Sequence, residues 1–147
     1  MDNRDLHHVV VVEDNIITNN LLRDWLKLNF QVVCFLDAES ASRLLSSTEE
    51  RWVFLIDYNL PGENGIQLKQ KLVSRFPNSK FILTSGLFDE ALTRKATEAG
   101  FDVIIPKPFS MPQLSKKIQD LLDLPSQKPN LIRLIKESGH LSAPPAA

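Results

Sequence analysis

Residues 53–65 read VFLIDYNLPGENG, an apolar run that ends in a single acid and passes straight into a turn. The run Val53–Ile56 has no alternating polar residues, which is typical of a strand covered on both faces, as in a parallel sheet. Asp57 follows directly and is expected at the carboxyl edge of that sheet, where ligands bind in open α/β folds. Pro61-Gly62 supplies the turn that carries the chain past this edge.

Three further apolar runs end in the same way, in residues that carry a charge or a hydroxyl. They are Val9–Val12 before Glu13 and Asp14, Phe81–Leu83 before Thr84 and Ser85, and Val103–Ile105 before Pro106 and Lys107. Because the carboxyl ends of parallel strands meet at one edge of a sheet, we expect three acids, a hydroxyl and a cation to gather there.

The chain as a whole alternates predicted strands and helices five times. Strands are expected at His8–Val12, Gln31–Phe35, Val53–Asp57, Lys80–Thr84 and Asp102–Ile105, and helices at Asn15–Leu28, Asp37–Ser46, Gly65–Phe76, Asp89–Ala99 and Ser110–Leu122. Alternating units of this length predict an α/β fold, a parallel sheet with helices on both faces and right-handed crossovers.

The first predicted helix carries apolar residues at helical spacing, namely Ile17, Leu21, Trp25 and Leu28. This spacing indicates an amphipathic helix. We interpret Trp25 as a residue on the side of this helix that packs on the core, rather than as an exposed ring that binds a ligand. Cys34 is interpreted as a small core residue, because no second cysteine or neighbouring basic residue would activate its thiol.

Composition limits the classes of partner. The chain has 147 residues, of which 43% are hydrophobic and 24% charged, as is usual for one globular domain. The net charge is −1 and no basic stripe is present, so a nucleic-acid partner is not expected for this chain. No apolar stretch approaches transmembrane length and residues 1–8 are polar, so we expect no membrane segment and a cytoplasmic location.

The character of the sequence changes after Leu122. We assign residues 6–123 to one domain and residues 124–147 to a C-terminal linker or extension, in which residues 130–138 are predicted to form a short helix. Two interpretations stay open: an extension that packs on the domain or frays, and a connector toward an output domain.

The acidic residues indicate a metal site. Carboxylates about 4 Å apart repel by about 4 kcal/mol per pair at an effective dielectric constant near 20, and a divalent cation relieves this. All-oxygen ligation favours Mg²⁺. We predict Asp14 and Asp57 as direct ligands, Glu13 through water, and the main-chain carbonyl of Asn59 as a further ligand. Mg²⁺ and Lys107 could offset the charge on phosphoryl oxygens while Asp57 acts as the nucleophile. The residues therefore predict phosphoryl transfer to Asp57.

The chain resembles the receiver (CheY-like) domain of bacterial two-component response regulators over about residues 6–123. The matching pieces are Glu13-Asp14, Asp57 with Leu60-Pro61-Gly62 and Asn64-Gly65, Ser85-Gly86, and Lys107-Pro108-Phe109. The resemblance implies a doubly wound, flavodoxin-like sheet with strand order 2-1-3-4-5. It also implies Mg²⁺-dependent phosphorylation by a histidine kinase or phosphotransfer protein.

The resemblance further implies residue roles. Asp57 would be the phosphoacceptor and Ser85 the switch hydroxyl, with Thr84 as second choice. Lys107 would contact the phosphoryl group through a cis peptide bond to Pro108. The face made by helix four, strand five and helix five would transmit the signal and could form a homodimer. Such a chain is a signalling phosphoacceptor, not an enzyme beyond its own phosphotransfer and dephosphorylation.

Two positions depart from the family pattern. Ile104 stands three residues before the lysine, where an aromatic switch residue is common, so another packing change is expected to carry the signal. Leu87, two residues past the switch position, replaces a polar side chain that could orient hydrolytic water. We take this as a hypothesis of a long-lived phosphoryl group.

Competing classes fit the sequence less well. A flavodoxin or dinucleotide-binding enzyme would have a glycine- or hydroxyl-rich first turn, where this chain has Glu13-Asp14. A phosphatase with an aspartyl-phosphate intermediate would want a second acid at Asn59. A receiver-like scaffold that is not phosphorylated is the remaining alternative, although it would not need Asp14, Asp57 and Lys107.

Overall fold

The structure is a computed structural model that describes residues 6–123. Ten elements alternate along this part of the chain. The strands are β1 (His8–Val12), β2 (Gln31–Phe35), β3 (Val53–Asp57), β4 (Lys80–Ser85) and β5 (Val103–Pro106), and the helices are α1 (Ile16–Leu26), α2 (Ala38–Leu44), α3 (Gly65–Leu72), α4 (Glu90–Glu98) and α5 (Met111–Asp123). The predicted α/β class is confirmed.

The five strands form one sheet in the order β2-β1-β3-β4-β5, and every neighbouring pair is parallel. This confirms the predicted order. All five residues of β3 are buried, as the unbroken apolar run indicated. Parallel strands require crossover connections, and the four helices α1 to α4 supply them, while α5 follows the last strand. The carboxyl ends of β1 and β3 therefore lie side by side at the centre of the sheet.

Apolar side chains from the two faces of the sheet build two separate cores. One core contains residues of α2, α3 and α4, and the other contains residues of α1 and α5. Phe54 and Leu55, neighbours on β3, belong one to each core because successive side chains of a strand point to opposite faces.

Most helices begin at a polar capping residue. The side chains of Asn15, Asp37, Asn64 and Asp89 each accept a hydrogen bond from a backbone amide in the first turn. Such caps satisfy amides that have no partner within the helix. The third helix ends at Leu72, earlier than the predicted Phe76, yet Phe76 is fully buried.

The predicted core side of the first helix is wrong. Ile17, Leu21 and Leu28 are exposed, and Trp25 lies at the surface, where its indole Nε1 donates to Ser115 Oγ at 2.6 Å. The buried residues of α1 are Asn19, Leu22 and Leu26.

The side chain of Asn19 explains this rotation. Its Nδ2 donates to the backbone carbonyls of Glu13 and Phe35, each at 2.9 Å. An amide that bridges β1 and β2 holds its own side of the helix against the sheet. Apolar spacing alone could not show that a polar residue belongs to the buried face.

The predicted linker at residues 124–147, with its helix at residues 130–138, lies outside the described residues. Within residues 6–123, no helix is long and apolar enough to cross a bilayer.

Candidate phosphoacceptor and metal site

Three carboxylates meet at the carboxyl edge of the sheet. Glu13 and Asp14 follow β1, and Asp57 ends the neighbouring β3. Carboxylate oxygens of all three lie within 4.8 Å of one another. Glu13 and Asp57 are buried, whereas Asp14 is exposed. The structure therefore brings together the three acids that the sequence singled out, at the expected edge.

Lys107 is the cation in contact with this cluster. Its Nζ lies 2.8 Å from Glu13 Oε1 and 3.2 Å from Asp57 Oδ2, so one ammonium group bridges two buried carboxylates. The backbone amide of Lys107 donates to the Ser85 carbonyl at 2.8 Å, and the Lys107–Pro108 peptide bond is cis, as expected. The lysine thus enters the site from the end of β5, two strands away from Asp57.

The electrostatics of the site disfavour charge on Asp57. Burial raises the pKa of Asp57 to about 6, and the neighbouring Glu13 carboxylate adds to the rise, while Lys107 opposes it. Burial would lower the pKa of Lys107, but its hydrogen bond to Glu13 and the charge of Asp57 outweigh burial, so the pKa of Lys107 is raised. One lysine ammonium thus faces two buried carboxylates, which leaves an excess of negative charge at this edge of the sheet.

The loop after β3 is held close to Asp57 by backbone contacts. The amide of Asn59 lies 3.4 Å from Asp57 Oδ1, and the amide of Tyr58 donates to the Thr84 carbonyl at 2.8 Å. Gly65 opens α3 against the same strand end: a Cβ there would meet the Asp57 carbonyl oxygen at 2.6 Å. Only glycine permits this approach.

The two candidate switch residues differ in environment. Ser85 is fully buried, and its hydroxyl donates to the Leu87 carbonyl at 2.7 Å and accepts from the Leu87 amide at 3.0 Å. Thr84 is also buried and is paired with Asp57 in the register of β3 and β4. The Ser85 hydroxyl is therefore engaged by the loop that leads into α4, which links this side chain to the start of that helix.

Sequence reasoning missed two asparagines that position the acidic loop. The side-chain Nδ2 of Asn19 donates to the backbone carbonyl of Glu13 at 2.9 Å, and the backbone amide of Asn15 donates to Glu13 Oε2 at 3.0 Å. Their signal in the sequence was weak, since asparagine near a helix start is usually a cap. The relevant clue was the side-chain amide of Asn19, which lies about one helical turn after Glu13-Asp14 on the buried side of α1.

The donor set suits a hard divalent cation. All three clustered side chains are carboxylates, whose oxygen atoms are the ligands that Mg²⁺ prefers over the nitrogen and sulfur sites of Zn²⁺. Two of them are held in place by burial, so the site is largely preformed. The acidic pocket therefore fits Mg²⁺.

Comparison with known proteins agrees with this site. Residues 9–119 match the family described as the response regulator receiver domain. A cyclic di-GMP phosphodiesterase of Thermotoga maritima is 32% identical over 115 residues, which are 78% of this chain and 30% of that protein. The regulatory protein VirG of Agrobacterium tumefaciens is 28% identical over 129 residues, 87% of this chain and 47% of that protein. The chain thus spans less than half the length of these two relatives.

A solved structure shows the same fold. The BeF3-activated DrrB receiver domain superposes with a TM-score of 0.74 at 24% identity, covering 80% of this chain and 98% of that chain. The match over residues 9–119 includes every acid of the cluster, Lys107 and both candidate switch residues. The chain belongs to the family of response regulator receiver domains, the signal-transduction modules of two-component systems.

Proposed function

We propose that Asp57 is the phosphoacceptor of a two-component pathway and receives its phosphoryl group, with Mg²⁺, from a histidine kinase or a phosphotransfer protein. The observation that carries this proposal is the contact of Lys107 Nζ with the buried Asp57 carboxylate, inside a cluster of three acids. A carboxylate is a competent acceptor nucleophile, and a lysine and a cation site beside it can offset the charge on the phosphoryl oxygens.

The transfer needs no general base, because the acceptor is a carboxylate. An Asp57 carboxylate oxygen forms a bond to phosphorus, and the phosphorus–nitrogen bond of a donor phosphohistidine breaks. The electron pair of that bond stays on the donor imidazole, which then takes up a proton. Acetyl phosphate would serve in the same way, with acetate as the leaving group.

Each remaining site residue has a role in the proposal. Asp14, Asp57 and the Asn59 carbonyl would hold Mg²⁺, with Glu13 acting through water. The metal supplies positive charge for the phosphoryl oxygens during transfer. Lys107, now shared between Glu13 and Asp57, would turn to the phosphoryl group.

The switch would run through β4. Ser85 would exchange its hydrogen bonds with Leu87 for one to the phosphoryl group, which frees the loop before α4. The face made by α4, β5 and α5 would then change its packing and form the output or homodimer surface. Ile104 on β5 packs partly buried against the core that contains α4, so a shift of this core would replace a rotating aromatic.

The wider setting is also part of the proposal. Both relatives described above are at least twice the length of the matched region, so an output domain or target is expected, although its type stays open. The chain would act as a signalling domain rather than as an enzyme on external substrates. The proposal retains the cytoplasmic location that was expected from the absence of an apolar stretch of transmembrane length.

Intact-mass analysis after incubation with acetyl phosphate and Mg²⁺ tests the proposal. We expect one phosphate adduct that requires Mg²⁺ and disappears in Asp57→Ala. Asp57→Asn serves as the matched control, because it keeps the shape of the side chain while it removes the nucleophilic carboxylate. No adduct with acetyl phosphate or with a phosphorylated histidine kinase would favour an unphosphorylated scaffold. The decay of the adduct also tests the Leu87 hypothesis, which loss within seconds would contradict.

A further inference from the structure

The outer side of α1 is apolar along its length. Ile17, Leu21, Trp25 and Leu28 are 70%, 56%, 36% and 69% exposed, and we refer to these four residues as the α1 stripe. Successive members are four, four and three residues apart, so their side chains line one side of the helix and the turn after it. Single exposed apolar residues are normal, but a continuous row marks a contact surface.

The chain leaves the described domain next to this stripe. Trp25 Nε1 donates to Ser115 Oγ at 2.6 Å, so α5 lies directly beside α1. From Ser115, α5 continues to Asp123, a rise of about 12 Å at 1.5 Å per residue. Arg51 donates to the Leu122 carbonyl at 3.2 Å and fixes this end of α5. The end of α5 therefore lies about 12 Å along the helix from its contact with Trp25.

The sequence after α5 contains a short apolar cluster of matching character. Leu131, Ile132, Leu134 and Ile135 fall within five residues, and their spacing is that of one side of a helical turn. Seven residues, 124–130, separate this cluster from α5 and span up to about 24 Å when extended. Because this length exceeds the rise of about 12 Å from Asp123 back to Ser115, the cluster reaches the part of the stripe around Trp25.

We propose that the segment 131–135 docks on the α1 stripe of its own chain. The tether gives the segment an effective concentration on the order of millimolar at the stripe, which a separate molecule at cellular concentration does not match. A second copy is a weaker occupant, since a stable dimer buries about 800 Å² on each partner, more than four side chains of one helix offer. The inference is independent of phosphorylation, because neither Asp57 nor Mg²⁺ enters it.

The fluorescence of Trp25 reports directly on this contact in the full chain. The chain has two tryptophans, so Trp52→Phe leaves Trp25 as the only source of tryptophan emission. In this background we compare acrylamide quenching with and without the double change Ile132→Ser and Ile135→Ser. We expect Trp25 to be shielded in the parent, and the double change to increase its quenching and shift its emission to the red.

Two controls make the test specific. Arg133→Ala, between the apolar positions, should leave the quenching unchanged, and Trp25→Phe in a chain that keeps Trp52 should abolish any difference between parent and double variant. Equal quenching of Trp25 in the parent and in the double variant would overturn the proposal. So would shielding that grows with protein concentration, because this result assigns the stripe to a second copy.

Discussion

The two edges of the sheet differ in how they affect stability. At the amino edge, aromatic rings pack together: Phe54 lies 4.9 Å from Phe76 and 4.8 Å from Phe81, measured between ring centroids. At the carboxyl edge, Glu13 and Asp57 are buried together with one shared lysine. The first edge stabilises the fold by burying apolar surface, while the second keeps like charges close at the expense of stability. The apolar packing of the sheet thus offsets the electrostatic cost of the acidic site at its carboxyl edge.

The largest effect is expected at the aromatic edge. Phe54→Ala removes a fully buried ring that contacts aromatic residues on both sides, and should lower the free energy of unfolding by about 3–5 kcal/mol. Urea denaturation measures this loss. Phe88→Ala, at an exposed ring near the site, is the matched control and should change stability by less than about 0.5 kcal/mol. Similar losses in the two variants would remove the contrast between the edges.

The next effect concerns how closely α3 approaches the site. Gly65→Ala places a methyl group 2.6 Å from the Asp57 carbonyl oxygen and 2.9 Å from Ile56 Cγ2. We expect the free energy of unfolding to fall by about 2–3 kcal/mol, because neither the backbone at Asp57 nor the Ile56 side chain can move away without strain. Gly86→Ala is the control, since a Cβ there meets nothing within 4 Å. Thermal unfolding of both variants decides the question; equal stability would mean that α3 has room to shift.

Removal of the shared cation should destabilise the carboxyl edge. Lys107→Met leaves Glu13 and Asp57 without their common partner, which would cost about 3–5 kcal/mol for a fully buried pair. Because the Lys107 side chain is 27% exposed, we expect about 2 kcal/mol in metal-free buffer. The surface pair of Lys71 with Glu63, 2.9 Å apart, gives the control: Lys71→Met should cost less than about 1 kcal/mol.

Removal of an acid from the same site should raise the free energy of unfolding rather than lower it. Asp57→Asn removes a carboxylate whose pKa is raised to about 6, and should stabilise the metal-free protein at pH 7 by about 1–2 kcal/mol, allowing for solvent screening. A raised folded-state pKa means that the folded protein binds the proton more tightly than the unfolded chain. Stability should therefore fall as pH rises from about 4 through 6.

Denaturation with a chelator present, at several pH values, checks this result. The fall of stability between pH 4 and 6 should be smaller in Asp57→Asn than in the parent, and Mg²⁺ should stabilise the parent more than the variant. A variant less stable than the parent at pH 7 would show that the attraction of Lys107 outweighs burial and the repulsion from Glu13. The carboxyl edge would then stabilise the fold rather than oppose it.

Much of the site could be predicted because it sits at the ends of strands. An unbroken apolar run such as Val53–Ile56 predicts a buried parallel strand, and its carboxyl end then places Asp57 beside Glu13 without knowledge of any side-chain contact. The helix boundaries were predicted less closely, as α3 shows: Phe76 is buried beyond the end of the helix, so its apolar character belongs to the core rather than to the helix.

The order of elements, the edge at which the acids gather and the identity of the charged groups follow from local periodicity and chain connectivity, so the sequence is enough to predict them. The side of α1 that faces the sheet depends on long-range contacts, which appear only in the folded structure. Both sides of that helix carry apolar residues, and the bridge from Asn19 to the carbonyls of Glu13 and Phe35 selects one of them. A long-range hydrogen bond of this kind leaves no period in the sequence. The apolar residues it turned outward are the ones that the α1 stripe presents.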